Sequence, residues 1–142
     1  MEKIRLLNHL GQNFLIDKSI VKKVIKTADI KPRETVLEIG PGFGALTQKI
    51  AKKAGKVIAV EKDPRMCQIL KQTLKDFRNI EIINQDVLKF QIQNSKFKLV
   101  ANLPFYITAP VIRKFLEAEN PPKEMVLIIQ KEVAQRICAN PP

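Results

Sequence analysis

Histidine and cysteine are scarce in this 142-residue chain, which contains one histidine and two cysteines. A single histidine, His9, excludes a histidine-rich metal site and most histidine-based catalysis. Cys67 and Cys138 are too few and too far apart for a disulfide framework or a metal knuckle, so we expect reduced thiols in the core. The sequence therefore predicts no metal site.

Long apolar stretches are also missing. No run of about eighteen apolar residues could span a membrane, and the first residues mix charged and apolar types without forming a leader. With 45% hydrophobic residues, residues 1–142 are expected to form one domain with a substantial core. These features predict a cytoplasmic protein that has no membrane partner.

Positive charge, by contrast, is abundant, because 25 Lys and Arg residues against 14 Asp and Glu residues give a net charge of +11. Such an excess fits a polyanionic partner such as a nucleic acid, although a generic lysine-rich surface gives the same number. Two clusters recur at helical spacing, Lys18, Lys22 and Lys26, then Lys49, Lys52, Lys53 and Lys56. We expect these clusters to form a basic stripe.

Strand-like and helix-like segments alternate along the chain. Short apolar segments predict five strands, at residues 35–39, 57–61, 80–83, 97–101 and 125–129. Helices are predicted after Asp17, over 45–54, from Asp63-Pro64, over 109–118 and over 131–138. Because the strands are continuously apolar, they predict an α/β fold, a mostly parallel sheet with helices on both faces.

A candidate ligand-binding group lies at the end of each of the first four predicted strands. In chain order these groups are the glycine loop with Gly40 and Gly42, Glu61, Asp86 and Asn102. In parallel sheets, ligands bind beyond the carboxyl ends of the strands. The loop would let a ligand approach the backbone, Glu61 could accept from both hydroxyls of a ribose, and Asp86 could accept from an adenine amine. Each of these groups also has a purely structural interpretation. The glycines could serve only a tight turn, Glu61 could begin the turn into Asp63-Pro64, and Asp86 could cap a helix.

The tetrapeptide Asn102-Leu103-Pro104-Phe105 points to the chemistry. The Asn102 side-chain oxygen and the Leu103 carbonyl could accept the two N–H groups of a base's exocyclic amine, while Phe105 offers a face for stacking. Two such acceptors would favour the pyramidal, more nucleophilic form of that nitrogen. The alternative is a strand-to-helix turn ended by proline.

Two classes of cofactor fit the glycine loop. Gly40 and Gly42, with Ala45, satisfy the looser form of a nicotinamide-binding motif. However, Glu38 on the preceding strand would repel a pyrophosphate, whereas it could accept from loop amides or from an ammonium group. A hydride-transfer site would also need a catalytic group of its own. S-adenosylmethionine, which has a ribose, an adenine and an amino-acid tail but no phosphate, fits better.

The sequence closely resembles the KsgA/Dim family of ribosomal RNA adenine dimethyltransferases, which is related to the Erm resistance methylases. The resemblance covers essentially the whole chain, in the family's order. Its motifs are the amino-terminal cofactor motif Gly11-Gln12-Asn13-Phe14-Leu15, the glycine loop 38–44, the catalytic loop 102–106, and the block 130–134 with Arg136.

This resemblance implies a Rossmann-like class I S-adenosylmethionine-dependent methyltransferase. Such an enzyme transfers methyl groups from S-adenosylmethionine to N6 of two adjacent adenosines near the 3′ end of small-subunit rRNA, with the small ribosomal subunit as its partner. The implied cofactor contacts are Gln12, Asn13, Leu15, Gly40, Gly42, Glu61, Asp86 and Asn102. The catalytic residues would be Asn102, Leu103 and Phe105.

The chain departs from the family in two respects. Most members carry tyrosine at the position of Phe105, and phenylalanine keeps the stacking face. Members also continue past Pro142, so we expect an incomplete catalytic domain, truncated after the fifth strand, with the carboxyl-terminal helical domain absent. Two other functions stay open, namely adenine N6-methylation of another nucleic acid and a non-catalytic role as an RNA-binding or ribosome-assembly fragment.

Overall fold

A computed structural model describes residues 17–93 and 95–140. The predicted cofactor residues Gln12, Asn13 and Leu15 lie outside this part of the chain. The elements, in chain order, are α1 (Lys18–Ala28), β1 (Thr35–Ile39), α2 (Ala45–Ala51), β2 (Lys56–Glu61), α3 (Pro64–Thr73), β3 (Ile80–Asn84), β4 (Phe97–Asn102), α4 (Phe105–Leu116), β5 (Glu124–Ile128) and α5 (Lys131–Ile137).

The five strands form one parallel sheet in the order β3-β2-β1-β4-β5. The chain builds outward from β1 to β3 and then returns to place β4 on the other side of β1. This reversal creates a crevice beyond the carboxyl ends of β1 and β4, where ligands of such sheets bind. The predicted parallel α/β architecture is therefore confirmed.

Continuously apolar strands make this sheet the centre of the core. Every residue of β1 and β2 after its first is buried, as are the first five residues of β4. One core cluster joins the sheet to α1 and α2, and a second joins its other face to Val111 and Phe115 of α4. Helices thus cover both faces, as the unbroken apolar strands predicted.

A buried lysine ties the end of α1 to the sheet. The Lys98 ammonium on β4 donates to the main-chain oxygens of Ala28 at 2.7 Å and Asp29 at 3.1 Å. It also pairs with the Glu34 carboxylate at 3.2 Å. Burial of this charge is tolerated because carbonyl and carboxylate oxygens surround it, and the ammonium satisfies carbonyls that the helix end leaves open.

Three predictions about local structure were wrong. Helix α4 begins at Phe105 rather than near residue 109, because Pro104 is its N-cap and the helix continues through Pro110. Helix α2 ends at Ala51 rather than at residue 54. Cys67 is buried as expected, but Cys138 lies exposed at the end of α5.

No helix in the described ranges is both long enough and apolar enough to cross a membrane. Within the same residues, no group of three His, Cys, Asp or Glu side chains is arranged to hold a metal ion.

Candidate active site

The strand register brings the predicted groups to one edge of the sheet. Ile39 of β1 pairs with Val60 of β2 on one side and with Ala101 of β4 on the other. Glu61, in turn, pairs with Asn84 at the end of β3. The glycine loop, Glu61, the turn that carries Asp86, and Asn102 therefore follow one another along the carboxyl edge of the sheet.

The glycine loop has a backbone that only glycine adopts readily. Gly40, Gly42 and Gly44 have φ angles of 66°, 58° and 85°, in the left-handed region where other residues are strained. A Cβ at Gly40 would lie 3.9 Å from the main-chain oxygen of Asn102, so the loop directly faces the end of β4. Gly44 also has a steric role, because a Cβ there would lie 3.1 Å from a methyl group of Leu70.

Beneath this loop lies a buried acid without a full set of partners. Glu38 is 2% exposed, and burial raises the pKa of its carboxyl to about 7, although the nearby Thr47 hydroxyl acts to lower it. Among the described residues, neither Glu38 Oε2 nor Thr47 Oγ1 reaches hydrogen-bond geometry with any partner. Because buried acceptors and donors are rarely left unpaired, this pair fits a ligand or chain segment that carries polar hydrogens.

Glu61 is held at the end of β2 by the turn that follows it. Its Oε1 accepts from the main-chain N–H of Asp63 at 2.8 Å, and burial raises the pKa of the Glu61 carboxyl. Asp63 caps α3 by accepting from the N–H of Arg65 at 2.9 Å. Glu61 thus has the turn contact of the structural alternative, and it is a buried acid at the carboxyl end of β2.

Asp86 accepts from the turn at residues 87–89, which is not a helix, so it does not act as the helix cap of its structural alternative. Its Oδ1 accepts from the Leu88 N–H at 2.9 Å, and its Oδ2 pairs with the Lys62 ammonium at 3.1 Å. The N–H of Leu88, followed by Lys62, lowers the pKa of this carboxyl. The side chain stays 28% exposed, so one part of an ionised acceptor faces solvent beside the end of β3.

The Asn102-to-Phe105 segment forms the junction between β4 and α4. Asn102 is the last residue of β4, and Leu103 is buried with its N–H donating to the Ile128 oxygen at 3.1 Å. Phe105 is 63% exposed and meets Tyr106 edge-on at 6.0 Å between ring centres. The motif is therefore a strand-to-helix turn, as its alternative held, and it also presents an exposed aromatic face next to Asn102.

Sequence reasoning missed three residues of this edge. Thr47 lies in the first turn of α2 near the carboxyl of Glu38, Lys62 pairs with Asp86, and Asn84 donates to the main-chain oxygens of Glu61 and Lys62. Lys62 and Asn84 adjoin strand ends, so the rule that singled out Glu61 and Asp86 could have found them. Thr47 has no comparable signal, because its importance depends on helix packing.

The predicted basic clusters lie on one side of the sheet. Helices α1 and α2 share a core cluster, and the lysines of both are exposed, namely Lys18, Lys22, Lys26, Lys49, Lys52 and Lys53. Lys56 differs because it pairs with Glu81 at 2.7 Å. We call the six lysines on and just after α1 and α2 the basic face.

Solved structures define the class of protein. The chain superposes on the crystal structure of the 23S rRNA methyltransferase ErmE with a TM-score of 0.79 and 35% identity, over 87% of this chain and 50% of that one. A dimethyladenosine transferase from Plasmodium falciparum gives a TM-score of 0.81 and 36% identity, over 89% of this chain and 46% of that one. The chain has the Rossmann-like class I methyltransferase fold that its sequence predicted.

Sequence comparison defines the family. The family model for ribosomal RNA adenine dimethylase matches residues 4–142. Ribosomal RNA small subunit methyltransferase A of Alkaliphilus metalliredigens is 50% identical, over 98% of this chain and 51% of the relative. Its counterpart in Clostridioides difficile is 47% identical, over 93% and 48%. The chain belongs to the ribosomal RNA adenine dimethylase family and spans about half the length of these curated relatives.

Proposed function

We propose that this chain is the cofactor-binding part of an enzyme that transfers methyl groups from S-adenosylmethionine to N6 of two adjacent adenosines near the 3′ end of small-subunit rRNA. The observation that carries the proposal is the row of acceptors and glycines along one sheet edge, at the crevice between β1 and β4. Family membership and the names of the relatives support the substrate.

The cofactor would lie along this edge. Gly40 and Gly42 let it approach the backbone, Glu61 accepts from the ribose hydroxyls, and Asp86 accepts from the adenine amine. Asn102 closes the site from the side of β4. Gln12, Asn13 and Leu15, which lie outside the described residues, would complete the set of contacts by the family resemblance. When bound, S-adenosylmethionine supplies an electrophilic methyl group.

The chain's own chemistry acts on the adenine that receives the methyl group. The Asn102 side-chain oxygen and the Leu103 carbonyl accept from its N6 amine, and their effect grows as positive charge develops on that nitrogen. Phe105 provides a stacking face for a base that has left its helix, which its exposure beside Asn102 supports.

RNA would reach this site with help from parts of the protein beyond these residues. The basic face supplies phosphate contacts that do not depend on sequence. The chain spans about half of its relatives, and we expect the other half to include a helical domain that helps to hold rRNA in the small subunit. A ribosomal substrate also implies that the enzyme acts in the cytoplasm.

The proposal is tested first by cofactor binding. Calorimetry with S-adenosylhomocysteine should show binding to the chain, and Glu61→Ala should weaken it by roughly 1.5–3 kcal/mol, the value of a hydrogen bond to a charged group. Glu81→Ala is the matched control, because Glu81 is an exposed acid on β3 that forms an ion pair with Lys56 at 2.7 Å. Equal affinity in the Glu61 variant and the wild type would remove Glu61 from the site.

Methyl transfer is tested separately. The chain is incubated with small subunits and labelled cofactor, and the rRNA is mapped by mass spectrometry. Dimethylation of the two adenosines supports the proposal. Label on a different nucleic acid would mean another substrate, and cofactor binding without any transfer, even by a longer version of the chain, would favour a non-catalytic RNA-binding role.

A further inference from the structure

Asn84 links the ends of two neighbouring strands at the site. It is the last residue of β3 and pairs in register with Glu61. Its side-chain nitrogen donates to the main-chain oxygens of Glu61 and Lys62, both at 3.0 Å. The N–H of Gln85 adds a third bond, to the Glu61 oxygen at 3.0 Å. These bonds hold the chain where it leaves β2.

One peptide group connects Asn84 to the carboxyl of Glu61. The oxygen of Lys62 and the N–H of Asp63 belong to the same planar unit. Asn84 donates to the oxygen of that unit, and the N–H on its other side donates to Glu61 Oε1 at 2.8 Å. The result is a short chain of hydrogen bonds, in which each bond polarises and orients the next.

We infer that Asn84 is a positioning residue for Glu61, because its side chain fixes the peptide plane whose N–H orients the carboxyl that would accept from the ribose hydroxyls. This inference rests on the proposed function. A carboxylate that accepts hydrogen bonds from two adjacent hydroxyls needs a defined orientation. The peptide plane between Lys62 and Asp63 could tilt if it were held by only one of its two hydrogen bonds. Loss of Asn84 should therefore reduce recognition of the ribose hydroxyls more than it reduces other cofactor contacts.

The chain contains a matched comparison for this role. Asn79, just before β3, also donates through its side-chain nitrogen to two main-chain oxygens, those of Ala51 at 2.8 Å and Ala54 at 3.0 Å. It lies at the opposite end of β3 from Asn84. Both residues tie the sheet to a neighbouring segment, but among the described residues the side chain of Asn79 bonds to α2 and the turn after it and not to the turn that holds Glu61. An alanine at Asn79 thus controls for simple loss of stability.

The experiment measures preference for a ribose. Dissociation constants of S-adenosylhomocysteine and of its 2′-deoxyribose analogue are determined for the wild-type chain, Asn84→Ala and Asn79→Ala, together with their melting temperatures. The wild type should bind the ribose form about tenfold more tightly, the worth of one well-placed hydrogen bond. In Asn84→Ala that preference should fall to about threefold or less, whereas Asn79→Ala should keep the wild-type ratio although both variants melt earlier.

Each outcome of this experiment either supports or overturns the inference about Asn84. An unchanged ratio in Asn84→Ala, with only a lower melting temperature, would show a purely structural bond and overturn the inference. Should that variant not fold, Asn84→Ser retains one donor and should give an intermediate ratio, so a wild-type ratio there overturns it equally. A wild type that binds both ligands equally refutes the role of Glu61 but leaves cofactor binding standing. A wild type that binds neither ligand refutes the proposed function itself.

Discussion

The buried acid beneath the glycine loop makes a prediction about stability and pH. Burial raises the pKa of Glu38 from its ordinary 4.5 to about 7, so the folded state binds a proton that the unfolded chain releases. As pH rises from about 4.5 towards 7, the unfolded chain gains a charge that the folded chain still avoids. The free energy of unfolding should therefore fall through this window and level off above it.

The size of this effect follows from the two pKa values. Each pKa unit is worth about 1.4 kcal/mol, so the full loss is about 3 kcal/mol and the part between pH 5 and pH 8 is about 2.5 kcal/mol. Glu38→Gln keeps the shape of the side chain and removes its titration. Relative to the wild type, this variant should therefore become more stable by about 2.5 kcal/mol on going from pH 5 to pH 8.

Urea unfolding at several pH values measures the difference. Other titrating groups, including Glu61, whose pKa is also raised, contribute equally to both proteins and cancel in the comparison. Asp86→Asn is the control, because the pKa of Asp86 is lowered by its partners, so its removal should lower stability by a constant amount between pH 5 and pH 8 and change the pH dependence of stability only at more acidic pH. Parallel profiles for the wild type and Glu38→Gln between pH 5 and pH 8 would refute the argument from burial.

Three further predictions concern methyl transfer and RNA. Asn102→Ala should lower the rate of transfer by about a hundredfold or more, a larger effect than its loss of affinity for S-adenosylhomocysteine, and intact turnover would contradict the role given to its side-chain oxygen. Phe105→Ala should weaken binding of the target adenine by about 1–3 kcal/mol, whereas Phe105→Tyr should be nearly silent; equal losses in both would argue against stacking. The logarithm of RNA affinity should fall linearly with the logarithm of salt concentration, with a slope of about 0.7–0.9 for each phosphate contacted. Replacing Lys22 and Lys26 by glutamine should make that slope shallower, and an unchanged slope would show that RNA does not bind the basic face.

The position of the candidate site could be predicted from the sequence, because it depends on patterns of neighbouring residues along the chain. Runs of apolar residues mark buried strands, and all strands of a parallel sheet end at the same edge. Glu61 ends such a run, Asn102 follows one directly, and Asp86 comes three residues after one. We could therefore predict that they lie along one edge of the sheet, and the register of β1 with β2 and β4 brings the ends of these three strands to one edge.

The start of α4, by contrast, was predicted wrongly from the sequence. The predicted start lay near residue 109, one residue before Pro110. The helix begins a turn earlier and continues through this residue, and Val111 and Phe115 are buried against the sheet. Tertiary packing of these side chains outweighs the hydrogen bond that Pro110 cannot make.

The sequence by itself thus determined the order of strands and helices and which polar residues follow each strand, because these depend on neighbours along the chain. Only the tertiary structure decided the burial of Glu38 against Thr47 and the link from Asn84 to the peptide after Glu61. The amide of Asn84 reaches an oxygen 22 residues away in the chain. Such contacts depend on strand register and helix placement, which the whole core sets together and no local pattern records.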